Sequence, residues 1–363
     1  MKKKTVILAM SGGVDSSVAA YLLQKKGYSV IGITFKLWPK SFCGAHSAKS
    51  CCSLESIDSA RGVCSRLNIL HYVIECSKLF KKEVIGQFVD SYKKGRTPNP
   101  CIRCNEKVKV PLLLKKAREL KAEYIATGHH ARVVSDKKKT RFFIREAKDK
   151  NKDQSYFLFS LSQDVISHLV LPIGDYTKDK IRAISKKIKL KADQRRESQQ
   201  ACFIIDNNLK RFLRKEIRGN IAPGDIKDKA GKVLGRHSGA LFYTIGQRRG
   251  LRISYGKPLY VTDIDTKKNE IIVGDYKETL RNKLIAEDIT LGIKIKKAQH
   301  CFKADAKVRY RLPKAKAFVE TISAKRCEVT FQKPQDSLAP GQAVVFYQRD
   351  RVVGGGWISR NGL

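Results

Sequence analysis

Long hydrophobic runs are missing from this 363-residue chain. None approaches the ~18 apolar residues that a membrane-crossing helix needs. Its one leader-like feature is a lysine triplet before the apolar run 5–10, which ends at Ser11 and Gly12, too short for secretion. Internal repeats and low-complexity tracts are also lacking. Acidic residues are scarce: 34 Asp and Glu stand against 74 Lys and Arg, a formal net charge of +40 spread along the sequence. Such a surplus implies a polyanionic partner, because each phosphate neutralised releases counterions. The length exceeds one ordinary core and implies two or three domains.

Two familiar phosphate motifs are absent as well. A Walker loop needs GK[ST] after its glycines and a dinucleotide turn needs G-x-G-x-x-G, and neither occurs. Instead the run 5–10 leads into SGGVDSS, after which Val18, Ala19, Leu22 and Leu23 recur at helical spacing up to Gly27. This reads as strand, tight turn, helix. Gly12 and Gly13 let the backbone approach a ligand, the following amides favour an anion, and the Ser11, Ser16 and Ser17 hydroxyls add hydrogen bonds. Asp15 is placed to help hold magnesium beside a phosphate. The stretch resembles the SGGxDSS loop of the ATP pyrophosphatases, which cleave ATP between the α and β phosphates and adenylate a carbonyl oxygen.

Further along, strands over 28–38, 70–76 and 124–127 alternate with helices over 53–67, 79–92 and 110–120. The alternation predicts an α/β fold with a doubly wound parallel sheet. Ligands of such sheets sit beyond the carboxyl ends of the strands, which aligns the Ser11 turn, Phe35 and Gly128 along one edge. A basic amphipathic helix is expected over 175–190, followed by a polar loop over 191–200. Beyond about 207, glycine-bounded segments such as 231–235, 241–243 and 258–264 predict a small central domain. Short alternating runs from 284 onward (306–310, 317–322, 327–331, 343–347 and 352–358) predict a C-terminal β-barrel.

Ten cysteines are scattered through the chain, which fits a reducing cytoplasm with a few reactive thiols better than a secreted disulfide framework. In GRTPNPCIRCN, two prolines disfavour helix, so Cys101 and Cys104 are expected on a constrained loop beside Arg96, Arg103 and Lys107, a cationic setting that favours thiolates. Cys202, in ESQQACFI, follows Arg195 and Arg196 and has Phe203 to anchor it. Zinc would need a second C-x-x-C or a histidine pair at finger spacing, and neither follows. An iron–sulfur cluster on Cys101, Cys104 and Cys202 is the stronger rival to thiol chemistry. Cys64, Cys76, Cys301 and Cys327 read as buried apolar residues. Cys43, Cys51 and Cys52 have no assigned role.

Through MSGGVDSS, CCSLESIDSAR, GRTPNPCIRCN, ATGHHAR, KDQSYFL, ESQQACFI, GLRI and PGQAVVFY, the chain resembles the bacterial tRNA-specific 2-thiouridylases over nearly its full length. The resemblance implies ATP-dependent 2-thiolation of the wobble uridine, position 34, in tRNAs for lysine, glutamate and glutamine. Cys202 would carry a persulfide received from a cysteine desulfurase or sulfur-relay protein, with Cys104 as partner nucleophile. Met10, Ser11, Gly12, Gly13, Val14, Asp15, Ser16, Ser17, Phe35 and Gly128 would hold ATP with Mg2+. Asn99, Pro100 and Cys101 would meet the target base, and His129, Lys152, Asp153, Gln154, Arg309, Tyr310, Arg311 and Gln342 the tRNA. The implied domains are a catalytic domain over 1–206, a central tRNA-binding domain over 207–283 and a barrel over 284–363. Some family members carry aspartate at the position of Cys101, and threonine and glycine are commoner at Gln199 and Gln200. An ATP pyrophosphatase adenylating a small metabolite is the alternative, but it leaves Cys104, Cys202 and the charge without a purpose.

Overall fold

A computed structural model describes residues 3–37, 54–138, 140–190, 201–204, 206–217, 219–293 and 301–362. Trp38, Cys43, Cys51, Cys52, Arg195, Arg196, Gln199 and Gln200, and the loop expected over 191–200, lie outside the described residues. The chain divides into two compact units: residues 1–85, 100–207 and 350–352 form the first, and 86–99, 208–349 and 353–363 the second.

The first unit begins with β1 (Thr5–Ala9), α1 (Val14–Lys25), β2 (Ser29–Lys36), α2 (Leu54–Arg66), β3 (Leu70–Glu75) and α3 (Ser77–Phe80). α4 (Gln87–Lys93) belongs to the second unit. The first resumes with α5 (Pro100–Cys104), α6 (Val110–Glu119), β4 (Tyr124–Ala126), an antiparallel hairpin of β5 (Ala131–Ser135) and β6 (Phe142–Glu146), α7 (Gln163–His168), β7 (Leu169–Val170) and α8 (Lys178–Lys187). The sheet runs β3-β2-β1-β4-β7, and every pairing in it is parallel. β1 is central, and Val6, Ile7 and Leu8 are wholly buried because helices cover both faces. Burying each such side chain contributes about 1.5–3 kcal/mol. α8 is shorter than expected because the Thr177 hydroxyl accepts the Lys180 amide and starts the helix there.

In the second unit, α9 (Leu209–Glu216) begins at Asn208, whose side chain accepts the Arg211 amide at 2.9 Å. A four-stranded sheet follows: β8 (Gly224–Lys227), β9 (Val233–His237), β10 (Tyr260–Asp265) and β11 (Glu270–Gly274), in the order β10-β11-β8-β9. Within the segment 241–243, Leu241 and Phe242 belong to one 3-10 turn, Ala240–Phe242, after Gly239. β12 (Arg281–Leu291), β13 (Cys301–Lys307), β14 (Ala315–Ser323), β15 (Arg326–Gln335), β16 (Ala343–Gln348) and β17 (Arg351–Ile358) form the barrel, closed by the pairing of β12 with β17. Cys64, Cys76 and Cys327 are buried as expected, but Cys301 is exposed, because it opens β13 on the outward side opposite Glu320.

Candidate active site

Three carboxyl ends of adjacent parallel strands carry the first half of the site, as expected of this architecture. Beyond β1, Gly12 adopts a left-handed φ of +76°, and a Cβ there would run into the Ser56 carbonyl of α2. The Ser59 hydroxyl donates to the Gly12 carbonyl at 2.9 Å, so α2 supports the turn from outside. Inside it, Ser16 and Ser17 hydroxyls donate to the Gly13 carbonyl at 3.0 and 2.9 Å, and the Ser11 and Ser16 hydroxyls meet at 3.2 Å. Helix geometry leaves the Val14, Asp15 and Ser16 amides without helical acceptors, aimed where an anion binds. Met10 and Phe35 are buried beneath this edge, and Gly128, after β4, packs so closely on α1 that an added Cβ would stand 2.9 Å from the Ser16 nitrogen.

Asp15 has acquired two neighbours. The Lys178 ammonium, at the start of α8, donates to both carboxylate oxygens at 2.8 and 2.7 Å. The buried His130 imidazole places Nε2 3.3 Å from Oδ1, yet neither of its ring nitrogens has a well-aligned hydrogen-bond partner. Burial alone would raise the Asp15 carboxyl, but His130 and Lys178 outweigh it and hold the group below its ordinary value, so it is ionised at neutral pH. An anionic carboxylate, a buried cation, an orphaned imidazole and a helix N-terminus together fit a magnesium-bound polyphosphate. His129, one residue earlier, shares a 2.7 Å hydrogen bond with Thr127, and burial followed by the Lys109 charge lowers its pKa to about 3. It is a neutral imidazole at physiological pH.

The cysteine loop expected around residue 101 is instead a helix. Pro100 starts α5, where proline's missing amide costs nothing and its fixed φ suits the first turn, so Cys101 and Cys104 sit on helical backbone. Cys101 is exposed and Cys104 buried. Residues Asn105–Lys109 then widen into a π turn before α6, a distortion common at functional sites. It directs the buried Asn105 amide to the Phe157 carbonyl at 3.3 Å and toward His129 at 3.5 Å, joining the cysteine helix to the end of β4. Arg103 and Lys107 both pair with Glu106, so a carboxylate shares the cationic setting read from the sequence. Lys109 extends its charge to both His129 and Cys76. Cys76 also feels Cys104, but burial pushes the Cys76 thiol up to about 12, too high for a nucleophile.

Cys202 is half-buried in a turn closed by the Ile204 amide on the Ala201 carbonyl. Its neighbour Phe203 is buried edge-on against Phe80, with ring centres 6.1 Å apart. That contact ties the Cys202 turn to the segment after Cys76. Among the described residues, no three His, Cys, Asp or Glu side chains form a group that could hold a metal ion. Cys101, Cys104 and Cys202 thus do not form a cluster cradle in this conformation.

Of the residues expected to meet tRNA, Lys152 is half-exposed while Asp153 is buried, accepting the Ala147 amide and Ser155 hydroxyl at 2.8 and 2.7 Å. Gln154 brackets His130, accepting its amide at 2.9 Å and donating its own amide to its carbonyl at 2.7 Å. In the second unit, Arg309, Tyr310 and Arg311 lie on the turn after β13, not within a strand, and Arg309 donates to the Ile245 carbonyl at 3.3 Å. The Gln342 amide donates to the Thr97 carbonyl at 3.0 Å and the Thr97 amide to the Pro340 carbonyl at 2.7 Å. The irregular segment ending in Asn99 is thereby fastened to the barrel. Sequence reading missed His130, Lys178 and Asn105. The His-His pair after Gly128 and the Asn next to Cys104 were visible signals, but Lys178 had none.

Three sequence families match the chain in succession: one described as tRNA methyl transferase HUP domain over residues 4–206, one as tRNA methyl transferase PRC-barrel domain over 210–275, and one as aminomethyltransferase beta-barrel domain over 281–358. The chain is 45% identical over 356 residues to a tRNA-specific 2-thiouridylase of Thermoanaerobacter sp. strain X514, covering 98% of each chain. It is 44% identical over 355 residues to that of Clostridium acetobutylicum, covering 98% of this chain and 99% of the other. Against that of Moorella thermoacetica it is 45% identical over 355 residues, covering 97% of this chain and 98% of the other. Among solved structures, a U34-tRNA thiolase from Methanococcus maripaludis with its [4Fe-4S] cluster aligns over 55% of this chain and 60% of its own at 20% identity and a TM-score of 0.35, too loose to bear on the site.

Proposed function

Because the chain belongs to the tRNA-specific 2-thiouridylase family, we propose that the two thiol segments and the phosphate loop of its first unit carry out one adenylation and one sulfur transfer in succession. The enzyme is a sulfurtransferase that uses ATP to thiolate a tRNA uridine at its 2-position. The wobble uridine, position 34, of tRNAs for lysine, glutamate and glutamine is the proposed target. The proposed domains are 1–206 for catalysis, 207–283 for the central domain and 284–363 for the barrel.

A uracil 2-carbonyl oxygen is a poor leaving group. Nucleophilic attack by that oxygen on the α-phosphorus of ATP expels pyrophosphate and leaves AMP on the oxygen, which can then depart. Residues 10–17, Phe35 and Gly128 hold the nucleotide, with the α1 amides and serine hydroxyls on its phosphates. Magnesium, when bound, neutralises phosphate charge, and Asp15 is the residue that would hold it. Lys178 and the free nitrogens of His130 supply further cationic and hydrogen-bonding contact. Neutral His129, held by Thr127 and Asn105, supports RNA binding without charge, while Asp153 and Gln154 act by holding their loop and His130 in place. Gln342 supports the base-facing Asn99, Pro100 and Cys101, and Lys152, Arg309, Tyr310 and Arg311 meet the RNA.

In the second half, the terminal sulfur of a Cys202 persulfide attacks C2 and AMP leaves, giving a C2–S–S–Cys202 linkage. The Cys104 thiolate then attacks the Cys202 sulfur, the S–S bond breaks toward the base as the thiocarbonyl forms, and a Cys104–Cys202 disulfide remains for an external thiol to reduce. A cysteine desulfurase or relay protein reloads Cys202. The observation that carries this reading is that, within one unit, Asn105 and His129 join the Cys104 helix to the end of β4, where Gly128 packs on Ser16 of the phosphate loop. Its test is transfer of labelled sulfur from a cysteine desulfurase into an unmodified lysine tRNA transcript with magnesium ATP. ATP-dependent label at uridine 34, lost in Cys202→Ser, is the expected result. An unlabelled tRNA with both metal-free and cluster-reconstituted protein would refute it.

A further inference from the structure

The Lys178 ammonium covers the Asp15 carboxylate, donating to Oδ1 and Oδ2 at 2.8 and 2.7 Å. It is not a surface chain resting on a neighbour. Lys178 is only 9% exposed, its own amide donates to the Asp149 carboxylate at 3.0 Å, and Ile181, one turn on, is wholly buried in the core that holds Val18 and Leu22 of α1. The lysine thus reaches Asp15 from a fixed base. The loop carrying Asp149 is itself pinned, because the Lys148 amide donates to the Gly174 carbonyl at 2.9 Å and Gly174 lies so close to the Ala131 carbonyl that a Cβ would not fit.

His130 closes the other side of Asp15. Its ring is 2% exposed, Nε2 stands 3.3 Å from Oδ1, and neither nitrogen has an aligned hydrogen-bond partner, a condition rare for buried polar atoms. Two atoms bound side by side to one small divalent ion, at about 2.1 Å each, stand about 3 Å apart. Oδ1 and Nε2 have the spacing of such a ligand pair, yet Lys178 neutralises it. A divalent ion arriving alone meets a fixed ammonium of like charge, and displacing that ammonium would strand a buried cation without a partner. A polyphosphate changes the balance, because its oxygens offer the ammonium another anionic acceptor. We propose that Lys178 is an exchangeable plug that bars divalent metal from Asp15 and His130 until a nucleotide arrives, then passes to a phosphate and releases the carboxylate. Metal enters only with the nucleotide. The proposal rests on the reading above that Asp15 holds the nucleotide's metal.

Manganese is the probe, since it accepts the same oxygen ligands as magnesium and its unbound ion is counted by electron paramagnetic resonance. Full-length wild type, D15N, K178M, K178R and K178M/D15N are titrated without nucleotide and with α,β-methylene-ATP, and circular dichroism checks each fold. Wild type should bind no manganese alone and one ion with the analogue, the latter lost in D15N. K178M keeps the stem and drops the charge, so it should bind one ion without nucleotide, while K178R and K178M/D15N bind none. K178Q replaces K178M if the latter does not fold. Manganese held by wild type alone and lost in D15N overturns the proposal, as does a folded K178M or K178Q that binds none. If wild type binds no manganese even with the analogue, or D15N still binds it, the assignment of the nucleotide's metal to Asp15 falls instead, an outcome distinct from these.

Discussion

Gly128→Ala perturbs the phosphate loop through backbone atoms alone. The added methyl would stand 2.9 Å from the Ser16 nitrogen and 3.1 Å from both the Asp15 carbonyl carbon and the Ser16 Cα. All three are backbone atoms of the first turn of α1, so no side chain can rotate away. Restoring ordinary contact needs a shift of about 0.5 Å. The hydroxyls of Ser16 and Ser17 now reach the Gly13 carbonyl at 3.0 and 2.9 Å, and that shift would bring both to the limit of hydrogen bonding. Overpacking of this kind costs about 1–3 kcal/mol of stability. Because a misplacement of about 1 Å costs on the order of 100-fold in rate, half of that should lower kcat/KM for ATP by about tenfold. The assay is pyrophosphate release with saturating tRNA at varied ATP, beside a thermal melt and tRNA binding. A variant with wild-type ATP dependence and an unchanged melting midpoint would refute the steric reasoning.

Lys178→Gln should raise the Asp15 carboxyl, since burial then acts with only His130 opposing it. Wild-type Asp15 has a depressed folded pKa, so its stabilisation is full above pH 3.8 and is lost as pH falls through the folded value; acid unfolding of the variant should begin at higher pH, read by circular dichroism. His129 is depressed from 6.5 to about 3, so the unfolded state takes up a proton that the folded state refuses and stability falls as pH drops below 6.5; His129→Asn should flatten that limb of the stability–pH curve. Cys104→Ser should still release pyrophosphate with tRNA but stop before thiouridine, trapping label on Cys202 or on an RNA–protein linkage detectable on a denaturing gel. Gly62→Ala, inside α2 with no described residue within 4 Å of the new methyl, should stabilise the protein by about 0.5–1 kcal/mol in urea unfolding.

The parallel sheet was legible because β1 is a continuous apolar run closed by two glycines, and the barrel because β14 and β16 carry runs that local pattern alone can read. β12 escaped notice since RNKLIAEDITL mixes charged and apolar residues and owes its place to pairing with both β15 and β17. The cysteine helix was misread because proline was weighed as a breaker, when at a first helical turn it is a starter. Lys178 illustrates a harder limit. It is one of 74 basic residues, and what distinguishes it is a carboxylate 163 positions away.

The attachment of segment 86–99 bears on how the gene could be divided. Phe88 packs on Phe212 with ring centres 6.1 Å apart, and Thr97 is held by Pro340 and Gln342, so a stretch lying between the phosphate loop and the cysteines in sequence folds with residues more than a hundred positions downstream. A fragment ending at residue 206 would keep the residues proposed to hold the nucleotide and both proposed thiols, yet lose the Phe212, Pro340 and Gln342 contacts of the residues leading to Asn99. Three sequence families follow one another along the chain, but segment 86–99 of the first is packed with residues of the second and third, so a first half expressed alone should be less stable than one co-expressed with the remainder.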